Sequence, residues 1–224
     1  MHVTLASMRR GPKSGSTKTS KALIYARLRE ILDTSNDERA IHAFLLNHSW
    51  ILNGIRHHLY CFDRVRLGPR YVTDLVLLSI GNTDLWSLIE LESPSAPIFT
   101  KAGLYSRQLN TAVRQLTDWT IWMDDFNELS GEFLTAILGC KREGIIIIGR
   151  RAALSTTDRR RLLQVNSTVP HGSLQVYTYD QLLDFVQQQN PATVDEYLKS
   201  WNQGARKYLT PAEFRSMERK RYAP

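Results

Sequence analysis

The sequence predicts an α/β fold, a mixed sheet flanked by helices, from three features of its hydrophobic pattern. Residues Tyr71 to Leu78 and Leu85 to Leu91 are two apolar runs separated by the turn pair Gly81-Asn82, which together read as a β-hairpin. The run Gly144-Ile145-Ile146-Ile147-Ile148-Gly149 is β-branched and does not alternate, the pattern of a strand buried on both faces. Segments of helical periodicity lie between and around these strands, and that alternation argues for helices packed on a sheet.

A chain of 224 residues fits one domain with tails. An apolar fraction of 42% and a charged fraction of 23% are those of a globular protein, which excludes collagen-like, coiled-coil and wholly disordered classes. No apolar run approaches the roughly 20 residues of a membrane helix, and the N-terminus lacks the apolar core of a secretory signal. The expectation is a cytoplasmic protein with no membrane partner. Cys61 and Cys140 lack metal-ligand spacing and read as plain buried residues. The net charge of +7 is unevenly spread: residues 1–21 carry five basic side chains and no acid, and residues 195–224 carry seven basic against four acidic. The stretch between is left at −1. Basic arms attract phosphate backbones through a salt-sensitive, sequence-independent term, and they also simply keep proteins soluble.

Residues 1–20, rich in Ser, Thr, Gly and Lys, read as a mobile basic arm, 21–190 as the core domain, and 191–224 as a basic helical extension packed outside the core or against a partner. Leu23, Ile24, Ala26, Leu28, Ile31 and Leu32 predict a first amphipathic helix, with Thr19 or Ser20 as cap. Ser35-Asn36-Asp37-Glu38 opens a second, which carries Glu38 and His42 and runs through Ile41, Phe44 and Leu45. A first strand is expected around Tyr60 to Val65, before the hairpin. Ala112, Leu116, Trp119 and Met123 place a helix over about Leu109 to Asp124. A basic helix over Ser155 to Leu163, a strand at Leu174 to Tyr177 and a helix capped by Thr178-Tyr179-Asp180 complete the core.

Chemistry concentrates in the hairpin. Side chains alternate across a strand, so Glu90 and Glu92 share a face while Leu91 turns the other way into the core. Asp74 lies on the preceding strand and joins them if the register is right. Three acids on an apolar strand pair repel one another and resist desolvation unless a cation sits among them. Oxygen ligands suit Mg²⁺ or Mn²⁺, with Asp74, Glu90 and the Leu91 carbonyl as metal ligands and Glu92 orienting or deprotonating a water. A metal so held suits hydrolysis of a phosphodiester. On spacing alone the favoured reading of the two glutamates is the solvent face of an ordinary half-exposed strand.

The ordered segments FLLNHSWIL, VTDLVLL, IELESPSAPIFTKAG, AVRQLTDW, GIIIIGRR and VYTYDQLL, from about Glu38 to about Phe185, resemble the nuclease domain of Shedu antiphage defence proteins, in the PD-(D/E)XK superfamily. The resemblance implies a restriction-endonuclease-like core, divalent-metal-dependent DNA cleavage, a role in defence against phage and a homo-oligomer. It places Asp74 at the acid of the first motif and Glu90 at the first acid of the second. Glu92 stands where the superfamily commonly has lysine, although some of its restriction enzymes work with glutamate there. Lys101 could supply a displaced positive charge, or be an ordinary solvated lysine. Gln115 resembles an accessory glutamine that binds the metal's water or a phosphate; it could also cap the sheet edge. Glu38 matches an acid that joins the site in some relatives, or is a helix N-terminal charge.

Other residues have plainer readings. Asp118 is expected to pair with Arg114 one turn away, and His42, His57 and His58 are not expected to be ligands. Arg150, Arg151 and Arg159, in basic runs after the buried strand and on the next helix, could bind nucleic acid through phosphates or be solvated charges. Trp86, Trp119 and Trp122 read as core or interface anchors before stacking platforms. The leading expectation is a metal-dependent DNA endonuclease with a short basic arm and a possible separate sensor or activator protein. A catalytically degenerate module that binds nucleic acid or oligomerises is the alternative, supported by Glu92. A regulator that binds DNA through its tails alone is the third reading.

Overall fold

A computed structural model describes residues 20–58, 60–67, 70–79, 85–125, 141–168 and 174–202. The chain order is α1 (Ser20–Thr34), α2 (Arg39–Asn47), a 3₁₀ turn (Ser49–Gly54), β1 (Tyr60–Asp63), β2 (Arg66–Leu67), β3 (Tyr71–Val72), β4 (Leu75–Ser79) and β5 (Leu85–Leu91). It continues through α3 (Arg107–Asp125), β6 (Lys141–Ile147), a short turn (Arg151–Ala153), α4 (Thr156–Thr168), β7 (Leu174–Tyr177), α5 (Asp180–Gln188) and α6 (Pro191–Asn202). The expected basic tails at 1–19 and 203–224 and the Gly81-Asn82 turn lie outside the described residues.

Five strands form one mixed sheet in the order β1-β4-β5-β6-β7. β1, β4 and β5 are antiparallel, while β5, β6 and β7 are parallel. The hairpin pairing is as the sequence predicts, with Leu75 opposite Ile89 and Leu78 opposite Trp86. Both faces of the sheet are covered. Leu75, Leu77, Ile89, Leu91, Ile145 and Ile147 pack with α1, α2, α5 and the 3₁₀ turn. Val76, Leu78, Trp86, Leu88, Ile146 and Ile148 pack with α3, whose inner stripe is Leu109, Ala112, Leu116, Trp119 and Met123. Ile145 to Ile148 have no exposed surface at all, which explains the unalternating run; each such side chain contributes about 1.5–3 kcal/mol of burial. Among the described residues no helix is long and apolar enough to cross a membrane.

Several elements depart from their predicted form. The expected strand over Tyr71 to Leu78 breaks at Thr73-Asp74. β3 pairs with β2 in a separate two-stranded sheet, the Thr73 N–H donates to the Val65 carbonyl at 3.0 Å and the Thr73 hydroxyl oxygen accepts the Val65 N–H at 3.1 Å. The first strand stops at Asp63 because Arg64 turns the chain with φ at 44°. Leu23 is 54% exposed, so the buried stripe of α1 is Ile24, Leu28, Ile31 and Leu32. The N-cap of α5 is Tyr179 with no side-chain cap bond; Asp180 Oδ2 instead accepts the Arg151 N–H at 2.5 Å. α6, expected outside the core, buries Val194 completely and stacks Tyr197 on Trp50 at 5.0 Å.

The loops at the carboxyl ends of β5 and β6 are tied together at Gly149. Its N–H donates to Ser93 and its carbonyl accepts from Tyr179 N–H, both at 3.2 Å. Its φ is +65° and a Cβ there would lie 2.6 Å from the Ala96 carbonyl oxygen. Gly149→Ala is therefore expected to destabilise the fold by about 1–3 kcal/mol through left-handed backbone strain and that clash. Urea denaturation monitored by tryptophan fluorescence checks it, and an unchanged midpoint would refute the constraint.

Candidate active site

β5 carries even-numbered side chains towards α3 and odd-numbered ones towards α1 and α2, because strand residues alternate. Trp86 and Leu88 therefore lead directly to Glu90, which is 7% exposed. The alternative of a solvated strand face is thereby corrected for Glu90, which lies on the face covered by α3 and whose carboxyl pKa Gln115 of that helix draws downward, while Glu92 is half-buried.

Asp74 enters from the point where the chain leaves the small sheet for the large one. Continuing the β4–β5 register by one residue sets it opposite Glu90. Its Oδ2 accepts the Leu91 N–H at 2.8 Å. In a strand the N–H and C=O of one residue point to the same edge, so the Leu91 carbonyl faces the Asp74 side as well. The Asp74 carbonyl accepts the Arg64 N–H at 3.1 Å and lies 3.2 Å from His42 Nε2. That imidazole is 5% exposed and also 3.2 Å from Asp63 Oδ1, so it ties α2 to β1 and to the Asp74 main chain.

Glu92 follows the end of β5. Its N–H still donates to Ile147 at 2.9 Å, and its carbonyl accepts the hydroxyl of fully buried Tyr179 at 2.7 Å. Glu38, at the N-cap of α2, adds a fourth negative charge that all three carboxyls feel.

The electrostatics are dominated by burial, with His42 and Arg64 opposing it only at Asp74. Desolvation pushes the Glu90 carboxyl up to about 9, reinforced by Asp74 and Glu92 and opposed by Gln115. Burial, then Glu38 and Asp74, push Glu92 up to about 7. Asp74 is also raised by burial, against the Leu91 N–H and His42. Among the described residues no lysine or arginine forms an ion pair with any of the three. Among the same residues no group of three or more His, Cys, Asp or Glu is gathered closely enough to hold a metal ion as it stands. The donor chemistry nevertheless fits a hard divalent cation, being all oxygen and short of positive charge.

The remaining sequence candidates stand apart from this cluster. Lys101 is in an exposed turn and pairs with none of the acids. Arg150 binds Asp33 Oδ1 at 2.5 Å and Asp180 at 3.3 Å, Arg151 pairs with Asp184, and exposed Arg159 reaches the Arg151 carbonyl at 3.3 Å. The first two arginines thus brace α1 and α5 against the loop after β6. The expected Asp118–Arg114 pair does not form among the described residues. Sequence reasoning set His42 aside and assigned Tyr179 no role in the site; their spacing carries no signal, because each reaches the acids only through docking of α2 and α5.

Residues 35–183, about two thirds of the chain, match the family model described as Shedu protein SduA, C-terminal. Among solved structures, one titled MspJI restriction endonuclease in complex with a 27-mer oligonucleotide is similar at 16% identity and a TM-score of 0.37. That likeness covers 95% of this chain and 43% of the other, so the chain spans less than half the length of that protein. No curated protein matches the chain.

Glu90 binds its proton more tightly in the folded state than in the unfolded one, where its value is near 4.5. The associated stability is full below about pH 4.5 and is lost as pH rises towards about 9. Without added divalent cation, Glu90→Gln is expected to stabilise the protein at about pH 8 by roughly 1–3 kcal/mol and to flatten the dependence of Tm on pH. Mg²⁺ or Mn²⁺ should raise the Tm of the parent protein and not that of the variant. A parent Tm that rises from pH 5 to pH 9 without metal, or equal metal shifts in both proteins, would sink the account.

Proposed function

The chain belongs to the Shedu protein SduA C-terminal family, and from that premise we propose that it is a divalent-metal-dependent endodeoxyribonuclease acting in antiphage defence. The observation that carries the reading is the burial of Glu90 beside Asp74 and Glu92, with no cationic partner among the described residues. A protein keeps such an arrangement at a cost in stability, and perturbed carboxylates of this kind concentrate at functional sites.

In this reading Asp74 and Glu90 hold Mg²⁺ or Mn²⁺, assisted by the Leu91 carbonyl, and the cation supplies activation of water and neutralisation of charge on the phosphodiester. The Leu91 N–H keeps the Asp74 carboxylate aimed at the end of β5. Gln115, which favours the charged form of Glu90, offers a polar group for a water or the substrate. Glu92, pushed up to about 7, is matched to accepting a proton from water near neutral pH and passing it on. It stands where a lysine is common in the superfamily, so this site's positive charge comes from the cation alone. Lys101 does not take that role in the present arrangement, and Arg159 is the most available of the three proposed phosphate contacts. DNA as substrate, assembly as a homo-oligomer, a cytoplasmic location and control by a separate sensor or activator protein belong to the same proposal.

A degenerate, DNA-binding member is the second reading, favoured by Glu92 at the lysine position and by carboxylates not drawn to one point. Cleavage of linear and circular duplex DNA at low salt in Mg²⁺ or Mn²⁺ separates the two. We expect metal-dependent cutting that Glu90→Ala lowers by about a hundredfold or more. Glu92→Gln should lower cutting while leaving metal affinity, read from the Tm shift, within about threefold. Metal-independent DNA binding with no cutting by the parent protein would establish the degenerate reading.

A further inference from the structure

Between β5 and α3 the chain makes a closed, hydrogen-bonded turn that nonetheless lifts an apolar side chain into water. Phe99 and Tyr105 form a backbone bridge, their rings 6.0 Å apart. The Thr100 N–H donates to Leu104 at 2.8 Å, the Gly103 N–H to Thr100 at 2.8 Å, and the Leu104 N–H to the Thr100 hydroxyl at 3.2 Å. The Ser106 N–H donates to Ile98 at 2.9 Å and closes the base. At the tip Leu104 is 69% exposed, beside Tyr105 at 37%.

A single exposed leucine would mean nothing by itself. Three facts set this one apart. The turn is braced from α4: the Arg161 guanidinium packs against Gly103, whose φ of +78° and missing Cβ permit the approach. Beside it lies an open hollow of about 290 Å³ lined by Phe99, Gly103, Tyr105, Arg161, Gln164 and Val165. Around it Lys101 and Arg107 are exposed, and the local acid, Asp158, is already engaged by Arg161 at 2.9 Å and by Ser155 at 2.6 Å. An apolar tip on a closed turn with a cationic surround complements stacked bases between phosphates. In the chain the turn follows the strand that carries Glu90, after the loop 92–97.

We propose that this turn is a DNA wedge: Leu104 enters a base step of the duplex, Tyr105 and the hollow beside it receive the displaced base, and Arg161 contacts the adjoining phosphate. The wedge rests on the nuclease reading above. Apolar side chains inserted between base pairs unstack them and bend the duplex, which would bring a strand against the carboxylates. An aromatic floor with a guanidinium suits any base, so the device is independent of sequence. The hydrogen bonds that close the turn matter, since a pre-formed turn spends little conformational entropy on insertion.

The test uses the full chain with linear duplex DNA containing 2-aminopurine, in Ca²⁺ to hold the DNA without hydrolysis, alongside the matching single strand. The parent protein should brighten the 2-aminopurine in the duplex. Leu104→Ala should keep the parent Tm, lose the brightening and bind the duplex about tenfold more weakly, with a much smaller effect on the single strand. Arg161→Ala should lower the slope of log affinity against log salt by about one. Parent-like brightening and affinity in Leu104→Ala, with cleavage by the parent intact, would overturn the wedge and leave the nuclease reading standing. Equal losses on duplex and single strand would also overturn it, because Leu104 would then be packing on unpaired bases. A parent protein that neither binds nor cuts any DNA would bring down both.

Discussion

Strand β5 lies along the junction where the sheet changes from antiparallel to parallel pairing, and the arrangement of the molecule depends on what that strand is made to bury. β4 bonds to one edge and β6 to the other, helices cover both faces, and the strand then ends in a buried glutamate. Water is excluded from Glu90 on the α3 side by the same packing that holds Trp86 and Leu88. The carboxyl cannot leave the core without breaking the register that places its apolar neighbours. The charge problem at its end is thus a consequence of the sheet itself.

The surroundings hold that strand end in place rather than neutralise it. Tyr179 bonds the Glu92 carbonyl, Gly149 bonds Ser93, Leu91 bonds the Asp74 carboxylate, and His42 abuts the Asp74 carbonyl. These contacts come from four different parts of the chain and are directed mainly at backbone, so they set the positions of the acids more than they bond the carboxylates themselves. The arginines of the neighbourhood are spent elsewhere, Arg150 on Asp33 and Asp180 and Arg151 on Asp184. They knit α1 and α5 to the loop after β6 and stay out of the acid cluster. In the proposed function an added cation supplies the charge that these arginines do not.

Much of the fold was legible in the sequence because strands and amphipathic helices carry their burial pattern locally. The isoleucine run from Ile145 to Ile148 announced a strand covered on both sides, and the two runs of the hairpin paired as expected. The misreadings arose where local pattern and tertiary bonding compete. Tyr71 to Leu78 looks continuous, yet Thr73 bonds back to Val65 and splits it between two sheets. Asp180 has the chemistry of a helix cap but is taken by the Arg151 N–H. Leu23 is apolar but falls off the buried stripe of α1.

For the site, the sequence by itself determined that Glu90 and Glu92 share a face and that Asp74 precedes the partner strand, since alternation along a strand is a property of the backbone. The tertiary structure decided which face that is, and therefore that Glu90 is buried under Gln115 and not solvated. It also brought Glu38, His42 and Tyr179 to the strand end and kept Lys101 away in an exposed turn. The physical reason is the range of the forces involved. Side-chain direction is set within two residues, but desolvation and charge at one carboxyl are summed over helices and strands that meet only when the chain has folded.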